Sequence, residues 1–179
     1  MDKIDSLLKG LTLEEKVSIL SGSDAWHTTP VERLAIPRIK MTDGPNGARG
    51  DGSSKVSSAC YPNGSAIAST WDLELIESLG KSLGREARSK DADVLLGPTI
   101  NIHRHPLGGR HFECYSEDPV LTGAVTVAYV KGVQSQGVAA CIKHFVGNDT
   151  EFQRHTISSN IKPRPLREIY LLPFEMGIK

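Results

Sequence analysis

"DLELIESLGKSLGREARSK", Asp72 to Lys90, followed by "DVLLGP", Asp93 to Pro98, decides the fold class. The first stretch carries Leu75, Leu79, Leu83 and Ala87 at helical spacing. The second is a short apolar run closed by Gly97-Pro98, which reads as a buried strand. The same unit recurs on either side. Downstream, "DPVLTGAVTVAYVKGVQSQG" (118–137) predicts a helix with Asp118 as cap, Pro119 at its first position, and an apolar side of Val120, Ala124, Val127, Ala128 and Val130. "VAACIKHF" (138–145) then reads as another strand. Upstream, "RIKMT" (38–42) is an extended run that stops at the turn Asp43-Gly44-Pro45, and Asn46 to Gly64 is a long loop rich in Gly and Ser. "LTLEEKVSIL" (11–20) opens on a capping box, Thr12 with Glu15. It predicts a helix over about 12–21 with Leu11, Val17 and Leu20 packing on one side. Near the far end "TISSNI" (156–161) is a weaker strand, and "RPLREIYLLPFEMGIK" (164–179) is a helix with Pro173 near its middle.

Alternating helix and strand means an α/β fold with a largely parallel sheet. The chemically distinctive residues fall after strands: Asp43 after "IKMT", Arg110 in the loop after "DVLL", and Lys143-His144 at the end of "VAACI". Both (β/α)₈ barrels and doubly wound sheets place their sites at the C-terminal ends of strands. No G-x-G-x-x-G opens a helix and no Walker lysine motif exists, which weakens the nucleotide-binding version. About four strands are legible, where a full barrel has eight in about 250 residues. The chain therefore reads as α/β, a partial (β/α)₈ TIM-type barrel, about the first half of such a domain.

Lys+Arg and Asp+Glu balance at 21 each in 179 residues. That balance gives no electrostatic footprint for nucleic acid or an anionic membrane. No apolar run approaches the roughly 18 residues that span a bilayer. "MDKIDSLLKGLTLEEKV" is amphipathic and lacks the apolar core of a signal peptide, so a cytoplasmic location is expected, or a secreted one if a leader was removed. Cys60, Cys114 and Cys141 are far apart and odd in number, and are expected as buried free thiols.

Four groups of residues carry possible chemistry. "INIHRHPLGGRHFE" (100–113) holds His103, His105 and His111 with Arg104 and Arg110. The histidines have metal-like density, but two guanidinium groups beside a dication are unfavourable. The alternatives are that they cap loop carbonyls, pack on one another, or touch a ligand. Arg110 follows Gly108-Gly109, which let the backbone approach closely, and Glu113 is placed to hold its guanidinium; the planar fork suits a carboxylate or paired hydroxyls. In "TDGPNGARG" (42–50), Asp43 is either an Asx-turn residue or a carboxylate that accepts from two adjacent hydroxyls. In "KHFVGNDTEFQRH" (143–155), Lys143 at the end of a buried strand needs an acidic partner or a ligand. Carboxylate, guanidinium, ammonium and imidazole at three strand ends, with no phosphate loop, cofactor motif or Ser/His/Asp spacing, make a donor and acceptor set for a polyhydroxylated ligand.

"MTDGPNGARG", "LLGPTINIHRHPLGGRHFECYSEDP", "CIKHFVGNDTEFQRH" and "LREIYLLPFEMGIK" together resemble the N-terminal domain of glycoside hydrolase family 3, most closely its β-glucosidases. "LTLEEKVSILSG" and "ERLAIPRIKMTDGP" fit the family's opening, so the resemblance runs from about Leu11 to Lys179. It implies that residues 1–179 are an incomplete barrel domain, with later strands and a second α/β domain not in this sequence. It implies retaining hydrolysis of terminal, non-reducing β-D-glucosyl residues from glucosides or oligosaccharides, without cofactor or metal. Asp43 looks like the carboxylate that holds glucose hydroxyls in the innermost subsite. Arg49, Arg110, Lys143, His144 and Arg154 look like the donors around it, and the histidines of "HRHPLGGRH" like scaffolding. A retaining glycosidase uses two carboxyl groups about 5 Å apart. The family's nucleophile lies in a Ser-Asp-Trp-like motif on a later strand and its acid/base later still. "SDAW" (23–26) precedes the first strand and has an extra alanine, so no catalytic residue is assigned here and the isolated chain is expected to be inactive. A non-catalytic sugar-binding module or pseudoenzyme is the alternative, and a metal-dependent hydrolase using the three histidines a third reading. Unpaired strand edges of a partial barrel predict self-association.

Overall fold

The computed structural model describes residues 3–50 and 57–179. Positions 51–56, inside the long Gly/Ser loop, lie outside the described residues. The elements run α1 (Lys3–Gly10), α2 (Leu13–Ser21), β1 (Met41–Asp43), α3 (Gly64–Ala68), α4 (Leu73–Arg88), β2 (Val94–Leu96), α5 (Pro119–Gln134), β3 (Ala139–Ala140), α6 (Pro163–Pro165) and α7 (Leu172–Ile178). The three strands form one parallel sheet in the order β1-β2-β3, with Thr42 opposite Leu95 and Leu95 opposite Ala140. Neighbours in the sheet are neighbours in sequence, joined by helical crossovers, which is how a (β/α) barrel begins.

The caps explain where the long helices start. Asp72 accepts from the Leu75 amide at 3.0 Å, and Asp118 accepts from Val120 at 2.7 Å ahead of Pro119. Thr12 and Glu15 close both halves of the capping box, at 3.2 and 2.8 Å. Leu83 and Ala87 of α4 and Val125, Tyr129 and Val133 of α5 are buried around Leu95 of the central strand. At about 25 cal/mol per Å² of apolar surface, this contiguous cluster is the main stabilising term.

Several expectations are corrected. Leu75 is exposed and Ile76 takes its place in the core of α4. Val120 is exposed too. Val17 and Leu20 of α2 are 55% and 89% exposed rather than packed. Only Cys114 is buried; Cys60 and Cys141 are exposed. The weaker strand over 156–161 is irregular: Ser158, Ser159 and Asn160 give it no alternating apolar face to bury, and the Ser159 hydroxyl bonds the Gly147 carbonyl at 2.9 Å instead. In "VAACIKHF" only Ala139 and Ala140 pair as a strand, followed by the Cys141 amide on the Leu95 carbonyl at 2.9 Å and a parallel bridge between Thr99 and Lys143. The last helix is interrupted by a π-helical turn, Leu166–Tyr170. Pro173 then falls in the first turn of α7, where its missing N–H costs nothing. Two short helices give weak sequence signals, α1 and α3, the latter capped by Asn63 on the Ala66 amide at 2.9 Å.

Candidate functional site

Parallel alignment brings the C-terminal ends of β1 and β2 and the segment after β3 to one side of the sheet. Asp43 lies opposite Leu96, and Lys143 lies opposite Thr99 further along. β3 stops at Ala140, so strand alternation no longer separates Lys143 from His144. An open cleft of ≈ 870 Å³ occupies this side. Asp43, Arg49, Arg110, Lys143, His144 and Arg154 all line it, joined by Trp26 and Phe145.

Asp43 is the hub. Its Oδ1 accepts from Lys143 Nζ at 2.6 Å, and its Oδ2 is bonded by the Arg49 guanidinium. Burial alone would raise its carboxyl pKa; the Lys143 ammonium, then the Arg49 guanidinium, outweigh that and hold it below the usual carboxylate range. The loop that returns Arg49 to Asp43 turns on Gly44 and Gly47, both at positive φ. A Cβ on Gly44 would sit 1.8 Å from the Gly47 carbonyl oxygen, so only glycine permits this turn. The Arg49 amide bonds the Asp43 carbonyl at 2.9 Å and the Gly50 amide bonds Thr42 Oγ1 at 2.8 Å, closing the loop onto β1.

On the far wall, Arg110 is held by Glu113, whose other oxygen accepts from Thr99 Oγ1 at 2.9 Å. Glu151 joins the two remaining guanidiniums, 2.8 Å from Arg154 and 3.8 Å from Arg110. Asn101 brackets His144: its amide NH₂ donates to the His144 carbonyl at 3.0 Å, and its Oδ1 accepts from the His144 amide at 3.1 Å and from Nδ1–H at 3.2 Å. Burial, then Arg110 and Lys143, lower the His144 pKa, so its ring is neutral at neutral pH. With Nδ1–H committed to Asn101, the neutral ring offers Nε2 as an acceptor, where the sequence reading expects a donor. Glu151, Asn101 and Trp26 do not stand out as site residues in the sequence. Glu151 has a signal in retrospect, since it stands three residues before Arg154.

The histidine-rich loop is knitted internally. His103 Nε2–H donates to the His111 carbonyl at 2.8 Å, and the two rings stack at 4.9 Å. His105 Nδ1 accepts from the Leu107 amide at 3.2 Å. Among the described residues no group of three or more His, Cys, Asp or Glu has a metal-holding arrangement.

Burial also lowers the His111 pKa. Two imidazoles that resist protonation in the folded state, but accept protons near pH 6.5 when unfolded, make stability rise with pH through that range. The urea midpoint is expected to fall steadily from pH 7.5 to 5.5, with a shallower slope in His144→Gln. A pH-independent midpoint would contradict the burial of both rings.

The profile of the glycosyl hydrolase family 3 N-terminal domain matches residues 6–179. The chain belongs to this family. It is 61% identical over 178 residues to a β-glucosidase of Rhizobium radiobacter, covering 98% of this chain and 22% of that protein. It is 47% identical over 184 residues to thermostable β-glucosidase B of Acetivibrio thermocellus, with 98% and 24% covered. Among solved structures it superposes on the Kluyveromyces marxianus β-glucosidase in complex with glucose with a TM-score of 0.93 at 50% identity, covering 99% of this chain and 21% of that one. For β-glucosidase 3B of Thermotoga neapolitana in complex with glucose the values are 0.90, 43%, 99% and 28%. The chain thus spans about a fifth of the length of the curated relatives it matches. The family 3 fold accounts for the parallel sheet as the start of a TIM-type barrel. No helix among the described residues is long and apolar enough to cross a membrane.

Proposed function

We propose that this chain builds the glucose-holding wall of a retaining β-glucosidase that removes terminal, non-reducing β-D-glucosyl residues from glucosides and oligosaccharides. The carrying observation is the Asp43 carboxylate in the cleft, gripped by Lys143 at 2.6 Å and by Arg49. A carboxylate fixed by two cations is a preorganised acceptor for a pair of adjacent hydroxyls. Lys143 and the guanidiniums of Arg49, Arg110 and Arg154 supply donors, and His144 Nε2 accepts from a third hydroxyl. Relatives that are β-glucosidases, two of them solved with glucose, support the substrate class.

Retaining chemistry needs two carboxyl groups about 5 Å apart, one free to attack and one to exchange a proton. The carboxylates around this cleft are already engaged: Asp43 by Lys143 and Arg49, Glu113 by Arg110, Glu151 by Arg154. They suit recognition rather than attack. The 179-residue chain is therefore expected to bind gluconolactone with saturable heat and to release no nitrophenol from an aryl β-glucoside. Turnover by rigorously purified chain would overturn the division of labour, and absence of heat at millimolar lactone would overturn the subsite. The same engagement of the carboxylates fits the second reading, a sugar-binding module without hydrolysis. Activity of a longer chain carrying this sequence separates the two. The outer edge of β3 is the proposed surface for self-association, read by sedimentation; the outer edge of β1 already bonds the segment around Trp26 through the Met41 amide.

A further inference from the structure

Arg49 is a poor candidate for a side chain fixed by its own packing. It is 68% exposed, and an exposed ion pair with Asp43 is worth little by itself. Its direction has to come from the backbone, and the backbone there is gripped from an unexpected quarter. Glu86 lies in the last turn of α4, and Lys90 in the turn two residues past its end at Arg88; both reach the loop that carries Arg49. The Glu86 carboxylate accepts from the Ala48 amide at 2.8 Å and from the Ala59 amide at 2.5 Å. The Lys90 ammonium, at 2% exposure, donates to the Ala48 carbonyl and to Ser58 Oγ at 2.5 Å. Ser58 Oγ also donates to the Ala48 carbonyl at 2.7 Å.

The Ala48 carbonyl and the Arg49 amide belong to one peptide plane. That plane is held by Lys90 and Ser58 at its oxygen and by the Asp43 carbonyl at its N–H. The preceding plane is held by Glu86 at the Ala48 N–H. The plane that follows Arg49 is held by Thr42 Oγ1, which accepts from the Gly50 N–H at 2.8 Å. With the planes on both sides of its Cα held, and the one before it anchored by charge-assisted bonds, the Cα–Cβ direction of Arg49 is fixed. A lysine is rarely buried against neutral oxygens, because leaving water is costly. An apolar residue would serve plain packing at this position.

We propose that Glu86 and Lys90 are positioning residues that aim Arg49 at Asp43 and hence at the sugar. The sugar part of this inference rests on the reading of the cleft as a glucose subsite.

The test uses Glu86→Gln and Lys90→Met in the 179-residue chain. Asp43 is followed by carbon-detected carboxyl titration, with Arg49→Ala as the reference for a lost guanidinium. Both variants are expected to raise the Asp43 midpoint by most of the shift seen in Arg49→Ala, while gluconolactone affinity falls about tenfold. General destabilisation would lower the melting temperature without moving that titration in the folded protein. An unmoved Asp43 midpoint in a folded variant overturns the proposal. So does a moved midpoint with unchanged lactone affinity. If wild type binds no lactone, the subsite reading fails and the sugar role with it, while the titration still decides whether the pair orients Arg49. Should either variant fail to fold, Ser58→Ala and Lys90→Arg give the same titration with smaller perturbation.

Discussion

Replacing Asp43 with asparagine is expected to weaken gluconolactone binding about a hundredfold, the largest effect of any single change in the cleft. The carboxylate does two things at once. It accepts from the ligand's hydroxyls, and it neutralises Lys143 and Arg49. Asparagine keeps the shape, offers one acceptor oxygen, and leaves two cations facing each other. Removing one partner of a desolvated pair costs about 2–5 kcal/mol, and Asp43 belongs at the lower end because the site is partly open to water. The double variant Asp43→Asn/Lys143→Met is expected to regain part of the lost stability and none of the binding, since the stranded ammonium is gone but the acceptor is not restored. pH gives an independent reading. The folded-state pKa of Asp43 is depressed, so its contribution is present above the ordinary carboxylate value near 3.9 and is lost as pH falls through the lower folded value. Wild type should therefore lose stability along an acid limb that Asp43→Asn lacks. Equal lactone affinity in wild type and Asp43→Asn, by calorimetry, would remove Asp43 from the subsite.

The strands and helices that position this cleft are legible because local signals agree with one another. Asp72 and Asp118 cap helices whose apolar periodicity begins at once, and Gly97-Pro98 ends the strand between them. Legibility fails where a tertiary partner decides the outcome. Leu20 and Val17 have the spacing of a buried stripe, yet both stay largely exposed. Residues 156–161 have β-favouring Ile at both 157 and 161, but Ser159 is tied to Gly147 and no ladder forms. The cleft follows the same division. Asp43 and Lys143 stand out in sequence because each ends an extended run, and Arg110 because two glycines precede it and Glu113 stands three residues on. Asn101 and Glu151 do not, because their roles exist only once β2 and the segment after β3 lie side by side. Glu86 and Lys90 are the extreme case: at the end of a helix of ordinary charged composition they read as a solvated pair, and only the fold reveals that they hold a loop more than 25 residues away in sequence.

Gly132→Ala is expected to be among the most damaging single methyls outside the cleft. A Cβ there would lie 2.2 Å from the Glu77 carbonyl oxygen, 2.8 Å from Gly80 Cα and 2.9 Å from the Lys81 amide nitrogen. All three are backbone atoms of α4, so no side chain can swing aside. From the other helix, a Cβ on Gly80 would meet the Tyr129 carbonyl oxygen at 2.6 Å. The two helices touch backbone to backbone, and the only relief is to move them apart. Overpacking that side chains can absorb costs about 1–3 kcal/mol, and this contact should exceed that range. At about 2–4 °C per kcal/mol for a domain of this size, the melting temperature should drop by roughly 10 °C. The damage should also reach the cleft. Tyr129, one turn from Gly132, is buried and donates its hydroxyl to the Pro45 carbonyl at 2.9 Å, inside the loop that carries Arg49. Displacing α5 pulls on that bond, so lactone affinity should fall along with stability, although residue 132 touches no part of the cleft. Gly10→Ala is the matched control: its Cβ would meet only the movable Leu34 side chain at 3.2 Å, and the change should leave both measurements within error. A Gly132→Ala melting temperature within about 2 °C of wild type would mean that α4 and α5 can slide apart freely. The grip of Tyr129 on the Arg49 loop would then have no structural consequence.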